Sequence, residues 1–216
     1  MFKLTDRNRD VYLWAGVNVE LNLSFDNVLM LLELFEDKTV PENTKPSVAL
    51  NMLVVDKSLV AQLDGARKER FFIDVLRDKL NIDLSSTGKK RNVASGNDDS
   101  DDPDIPIVDF VIDAERIFAS FLFDYGMNLL EQQGKLTWEE FLALFNNLSD
   151  KTPMGIAIHY RTCEIPKKDS TNADERKRIK QMKELYELPE AKAIREQMEY
   201  EAYHRRMESQ KKLMKR

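Results

Sequence analysis

"EQQGKLTWEEFLALF", residues 131–145, has two readings, and the choice between them decides the fold class. A glycine, an aliphatic residue two positions later and a Glu-Glu-Phe opening resemble the second half of an EF-hand calcium loop. Placing Gly134 at loop position 6 puts Glu140 at position 12, where a bidentate ligand belongs. Position 1 is then Leu129, position 3 Glu131 and position 5 Gln133. Calcium needs oxygen ligands at positions 1, 3 and 5, and leucine supplies none. The other acidic run, Asp98, Asp99, Asp101 and Asp102, has Pro103 where the loop glycine would stand. The same letters spell a helix start more economically. Thr137 and Glu140 have the T-x-x-E spacing of a capping box. Trp138, Phe141, Leu142, Phe145 and Leu148 then line one helical face.

Helical patterning continues in both directions. Upstream, Phe110, Ala114, Ile117, Phe118, Phe121, Leu122 and Tyr125 recur at helical spacing, and Gly126 follows where a left-handed cap belongs. Downstream, Thr152-Pro153 repeats a cap-plus-proline start, with Ile156, Ala157, Tyr160 and Cys163 on one face. Cys163 is expected to be a small core side chain. Nearer the N-terminus, Ser24 offers a cap to a helix carrying Phe25, Val28, Leu29, Leu32 and Phe35, ending near Asp37. Pro46 suits the first turn of a helix with Val48, Met52 and Leu53. A further helix over about 58–80 places Leu59, Leu63, Ala66, Phe72, Val75, Leu76 and Leu80 inward. Residues 11–22 alternate through Val17, Val19 and Leu21, which predicts a short strand. The fold class expected is mainly α: a multi-helix domain with a short N-terminal β segment and a charged C-terminal helical extension.

Residues 84–106 interrupt this pattern with Ser, Gly, Asn, Asp and Pro and almost nothing apolar, as a connecting loop does. Lys89, Lys90 and Arg91 beside the acidic run read as part of that solvated linker rather than as a targeting signal. The texture changes again after Pro166. Two helix-forming stretches, 173–188 and 189–216, are dense in charge and thin in apolar residues: Ile179, Met182, Leu185 and Tyr186, then Ile194, Met198, Tyr203 and Met207. No apolar heptad is sustained there, so a long coiled coil is not supported. Such helices bury too little apolar area alone and need a partner, which is this protein's own core, another copy or a client. The expected division is a core over 1–166, with the acidic loop at 84–106, and an extension over 167–216. Ile179, Met182, Leu185, Tyr186, Ile194, Met198 and Tyr203 are the candidate partner contacts.

Composition narrows the function classes. The 216 residues are 42% hydrophobic and 33% charged, enough for a core beneath a very polar surface. Seven glycines and seven prolines do not suit an all-β fold full of tight turns. One cysteine leaves no internal disulfide, which fits a reducing cytoplasm. The polar N-terminus predicts no signal peptide, and no apolar run reaches membrane-spanning length, so a soluble intracellular protein is expected, without membrane contact. Net charge is −5 overall, divided as +5 over 167–216 and −10 over 1–166, unlike the dense basic face of a nucleic-acid binder. The tyrosines of the basic tail are too few for a stacking platform.

Candidate chemistry is equally sparse. His159 and His204 stand 45 residues apart with no cysteine pair, short of a zinc ligand set. His159 and Cys163 are four apart, but the apolar company of Cys163 argues for inert burial rather than nucleophilic activation. No nucleophile elbow, phosphate loop or dinucleotide fingerprint occurs. Asp109 and Asp113 flank a helix start, where the macrodipole favours carboxylates. The expectation is a non-enzymatic protein with no cofactor, no metal and no catalytic residue.

The order of three segments carries a resemblance: "LSFDNVLMLLELFEDK" (23–38), "DAERIFASFLFDYGMNLLEQQGKLTWEEFLALFNNLSDKTPMGIAIHYRTCEIPK" (113–167) and "ERKRIKQMKELYEL" (175–188). The run from Gly134 to Pro153 is the most specific block. This chain resembles the tail assembly chaperones of long-tailed phages and prophages of Gram-positive bacteria, encoded just before the tape-measure protein. It departs from them in its acidic 84–106 stretch and its long charged tail beyond Pro189. The resemblance implies a protein that coats the tape-measure protein before the tail tube polymerises. It implies homo-oligomers and contact with other tail assembly chaperones. It also implies residence in the host cytoplasm and absence from the mature virion. The competing expectation is a minor structural tail component retained in the particle.

Overall fold

A computed structural model describes residues 10–82, 105–169 and 171–214 of the chain. Most of the predicted 84–106 loop therefore lies outside the described residues. The architecture is mainly α, with one short β hairpin. Elements run β1 (Val11–Trp14), β2 (Val17–Glu20), α1 (Phe25–Glu36), α2 (Lys45–Leu53), α3 (Lys57–Ala61), α4 (Gly65–Lys79), α5 (Ala114–Tyr125), a 3-10 turn at Leu129–Gln132, α6 (Trp138–Phe145), α7 (Pro153–Thr162), α8 (Ala173–Tyr186) and α9 (Pro189–Met214). Among the described residues no helix is long and apolar enough to cross a membrane. Contacts group the chain into two compact units, Met1–Gly88 with Phe121–Asn147, and Lys89–Ser120 with Leu148–Arg216. Helix α5 supplies residues to each.

In the first unit, β1 and β2 pair antiparallel, Trp14 opposite Val17 and Val11 opposite Glu20. The tight turn uses Ala15 and Gly16, both at positive φ, as a two-residue hairpin of this twist requires. A lone hairpin is marginal in water, so it needs a surface to pack on. That surface is α4: Trp14 and Tyr12 stack on Phe71, Trp14 Nε1 donates to Asp74, and the Tyr12 hydroxyl donates to Asp78. The alternation read from sequence holds for Val19 and Leu21, which are buried, and fails for Val17, which is exposed.

Helix α1 begins where predicted, but the Ser24 hydroxyl accepts nothing from it; the Ser24 amide is instead held by the Asn22 side chain. The helix expected over 58–80 is two helices. Asp56 caps α3 and Asp64 caps α4, each by accepting a backbone amide, and Gln62–Leu63 turn between them. Ala66 is consequently exposed, while Phe71 and Val60, absent from the predicted core, are buried.

Helix α6 carries the capping box that the sequence spells: Thr137 accepts from the Glu140 amide, and the Glu140 carboxylate accepts from the Thr137 amide. Its apolar face closes the unit. Phe141 stacks on Phe25, Phe121, Trp138 and Phe145, and Tyr125 donates to the Leu144 carbonyl. Backbone bonds join Trp138 to Leu23 and Phe25 to Leu136, so residues from both sides of 83–104 build one core. Leu129, at the first position of the supposed calcium loop, is buried, and the Gly134 amide donates to Asp26.

Candidate protein-interaction surface

The second unit is organised around one buried carboxylate. Asp113 closes the turn at 110–113 that follows the 105–109 segment and precedes α5. Its side chain is fully buried and receives Arg161 from α7 in a two-point fork, at 2.6 and 2.8 Å, and Arg116 at 2.9 Å. Paired planar donors of this kind are the strong form of ionic hydrogen bond. The helix macrodipole alone is thus an incomplete account of Asp109 and Asp113. Asp109 does cap the turn, accepting from the Val111 and Ile112 amides, but Asp113 serves as a hub.

Arg161 has further duties. Its Nε donates to the Tyr186 carbonyl at 2.6 Å and its Nη1 to the Ile107 carbonyl at 2.8 Å. One guanidinium therefore ties α7, the end of α8 and the 105–107 segment together. Lys183 on α8 caps α7 from the side, donating to the carbonyls of Tyr160, Arg161 and Cys163. These are terminal carbonyls that a helix cannot satisfy internally. Tyr186 stacks on Tyr160 with its ring 5.7 Å away and lies beneath the Arg116 guanidinium. Cys163 is the C-cap of α7, half-buried; the predicted core position is corrected by the helix ending there. A shallow groove of about 400 Å³ runs between these pieces, lined by Ile107, Tyr160, Lys183, Leu188, Ala191 and Arg195 among others.

Leu188 and Ala191 are the anchors that hold the α8–α9 junction, both almost completely buried, with Arg195 paired to Glu187 across it. Neither anchor was singled out from sequence. Their signal is the Leu-Pro break, which marks a fixed corner rather than a loose joint.

The seven candidate contacts fall into three groups. Tyr186 is committed to its own unit. Ile179, Met182, Ile194 and Met198 are half-buried. Leu185 and Tyr203 stand out in solvent, at 69% and 60% exposed, together with Tyr200 at 64% and Met207 at 38%. The structure therefore does not gather the seven into one patch. It leaves one exposed leucine on α8 and a stripe of Tyr200, Tyr203 and Met207 on α9, both set among charges.

Among the described residues no group of three or more His, Cys, Asp or Glu side chains is placed to hold a metal ion. No curated protein and no solved structure matches the chain. A family model described as bacteriophage Gp15 protein matches residues 5–188. That span takes in the hairpin, the capping-box helix, the Asp113–Arg161 hub and the Leu188 corner, and it stops where α9 begins. With most of its length and both of its cores inside that match, the chain belongs to the bacteriophage Gp15 protein family.

Proposed function

We propose that this phage protein is a non-enzymatic tail assembly chaperone that binds the tape-measure protein before the tail tube polymerises around it. The observation that carries the reading is the exposed apolar side chain Leu185, on a charged helix locked in place by Lys183 and Arg161. A rigid polar helix presenting isolated apolar residues suits a client that is long, helical and variable in sequence. Burying each such side chain contributes about 1.5–3 kcal/mol. Met182, one turn earlier, offers an adaptable thioether of the kind found on surfaces that accept many partners. The protein works in the host cytoplasm, as a homo-oligomer, and leaves before the virion is complete.

The test is co-expression with the tape-measure protein, affinity capture, and mass spectrometry of finished particles. The client should be retained by the full-length chain, weakened by Leu185→Glu, and the chaperone should be missing from virions. Stoichiometric presence in virions without client capture would replace this reading with that of a structural tail component.

A further inference from the structure

Helix α9 lies beyond the residues matched to the family, and it has two separable faces. Ala191, Ile194 and Met198 turn inward, Ala191 almost completely buried and the other two partly so. On the opposite side, Ala193, Glu196, Tyr200, Tyr203 and Met207 fall on the a and d positions of a heptad, and all five are exposed. The last three, Tyr200, Tyr203 and Met207, form a compact apolar stripe. Charge is segregated along the same helix. Residues 189–201 carry four carboxylates and two cations, net −2, while residues 202–214 carry four cations and one carboxylate, net +3.

We propose that this outer face pairs with the same face of a second copy of the chain, antiparallel, about a two-fold axis near residues 201 and 202. The occupant is fixed by complementarity. Only an antiparallel arrangement sets each acidic half against a basic half, and the complementary partner the sequence itself supplies is another α9. In the register that opposes Tyr200 to Tyr203 of the second copy, Pro189 opposes Met214, so the helices overlap over their whole length, about 39 Å for 26 residues. Glu199 then flanks the seam opposite Arg206 of the second copy, twice by symmetry. Neither residue makes an ion pair among the described residues. The seam is short, with Glu196 at one d position, so the pair is a local clasp and not an extended coiled coil. This deepens the homo-oligomer part of the proposed function by naming its surface, and leaves α8 for the client.

The test is sedimentation velocity of the purified full-length chain without client. The unmodified protein should be a dimer. Glu199→Arg and Arg206→Glu should each weaken self-association roughly tenfold or more, since each places like charges together at two sites. An equimolar mixture of the two variants should restore the dimer, because every 199–206 contact then joins opposite charges. Tyr203→Glu should give a monomer with unchanged far-ultraviolet circular dichroism. A monomeric unmodified protein, a dimer indifferent to both charge reversals, or a mixture that fails to re-pair overturns the proposal. Client capture is read separately: a monomer that still holds the tape-measure protein refutes the clasp alone, and a clasped dimer that never holds it refutes only the chaperone reading.

Discussion

Arg161 meets Asp113 in a fork of two hydrogen bonds across 48 residues of sequence, with the carboxylate wholly out of water. A buried pair of this kind is costly to assemble, because both ions lose their hydration. Here the remaining donors are used: Arg116 completes Asp113, and backbone carbonyls from two segments complete Arg161.

Breaking one side of that pair should therefore be severe. Asp113→Asn leaves a buried guanidinium with no charged partner, since its other acceptors are backbone carbonyls. We expect a loss of about 3–5 kcal/mol in urea unfolding, the range for an uncompensated buried ion. Arg161→Met in the Asp113→Asn background should add less than the sum of the two single changes, because the partners share one interaction. Additive losses would mean the fork contributes nothing as a pair.

Docking of the hairpin should depend on pH at both ends of the scale. Burial, the hydrogen bond to Asp78 and the nearby carboxylates push the Tyr12 phenol up to about 12. The protonated phenol is the form that donates. Its contribution is complete below the ordinary tyrosine value of about 10 and disappears as pH rises to 12. The Arg77 guanidinium and the Tyr12 hydroxyl hold the Asp78 carboxyl below its usual range. That contribution is present above pH about 4 and lost as pH falls further. Tyr12→Phe keeps the ring on Phe71, should cost about 0.5–1 kcal/mol, and should flatten the loss between pH 10 and 12. An unchanged alkaline slope in thermal melts would contradict this account.

Calcium should not stabilise the protein. Leu129 is packed inside, and the Glu140 carboxylate is occupied by the Thr137 amide and hydroxyl. A site filled at 100 times its dissociation constant would add about 2.7 kcal/mol, which a melting curve resolves easily. Thr137→Ala, by contrast, removes the cap and should cost about 0.5–2 kcal/mol with or without calcium.

Proteolysis in the 84–106 stretch should leave the two pieces associated. The first unit draws on both sides of that stretch, through the Phe25–Phe141 stack and the backbone bonds of Leu23 and Phe25. Size-exclusion chromatography of the nicked protein under native conditions should give one peak containing both fragments. Fragments that part would mean that residues 10–82 and 121–147 fold independently, and would support a different division of the chain from the expected 1–166 core.

What the sequence determined by itself was local. The Thr137–Glu140 box, the Thr152-Pro153 start and the left-handed Gly126 each depend on residues within one helical turn, where the backbone groups to be satisfied are known in advance. The Asp56 and Asp64 caps were equally local but were hidden inside a longer apolar periodicity, which ran two helices into one. Tertiary structure decided the rest. Whether Val17 or Phe71 was buried depended on which surface the hairpin met. Asp113 became a hub because Arg161 and Arg116 arrived there together. The exposed α9 stripe separated from Ile194 and Met198 because only one face of a weakly amphipathic helix found its own chain. These outcomes turn on contacts between distant segments, and no spacing along a single helix encodes which segment will be opposite.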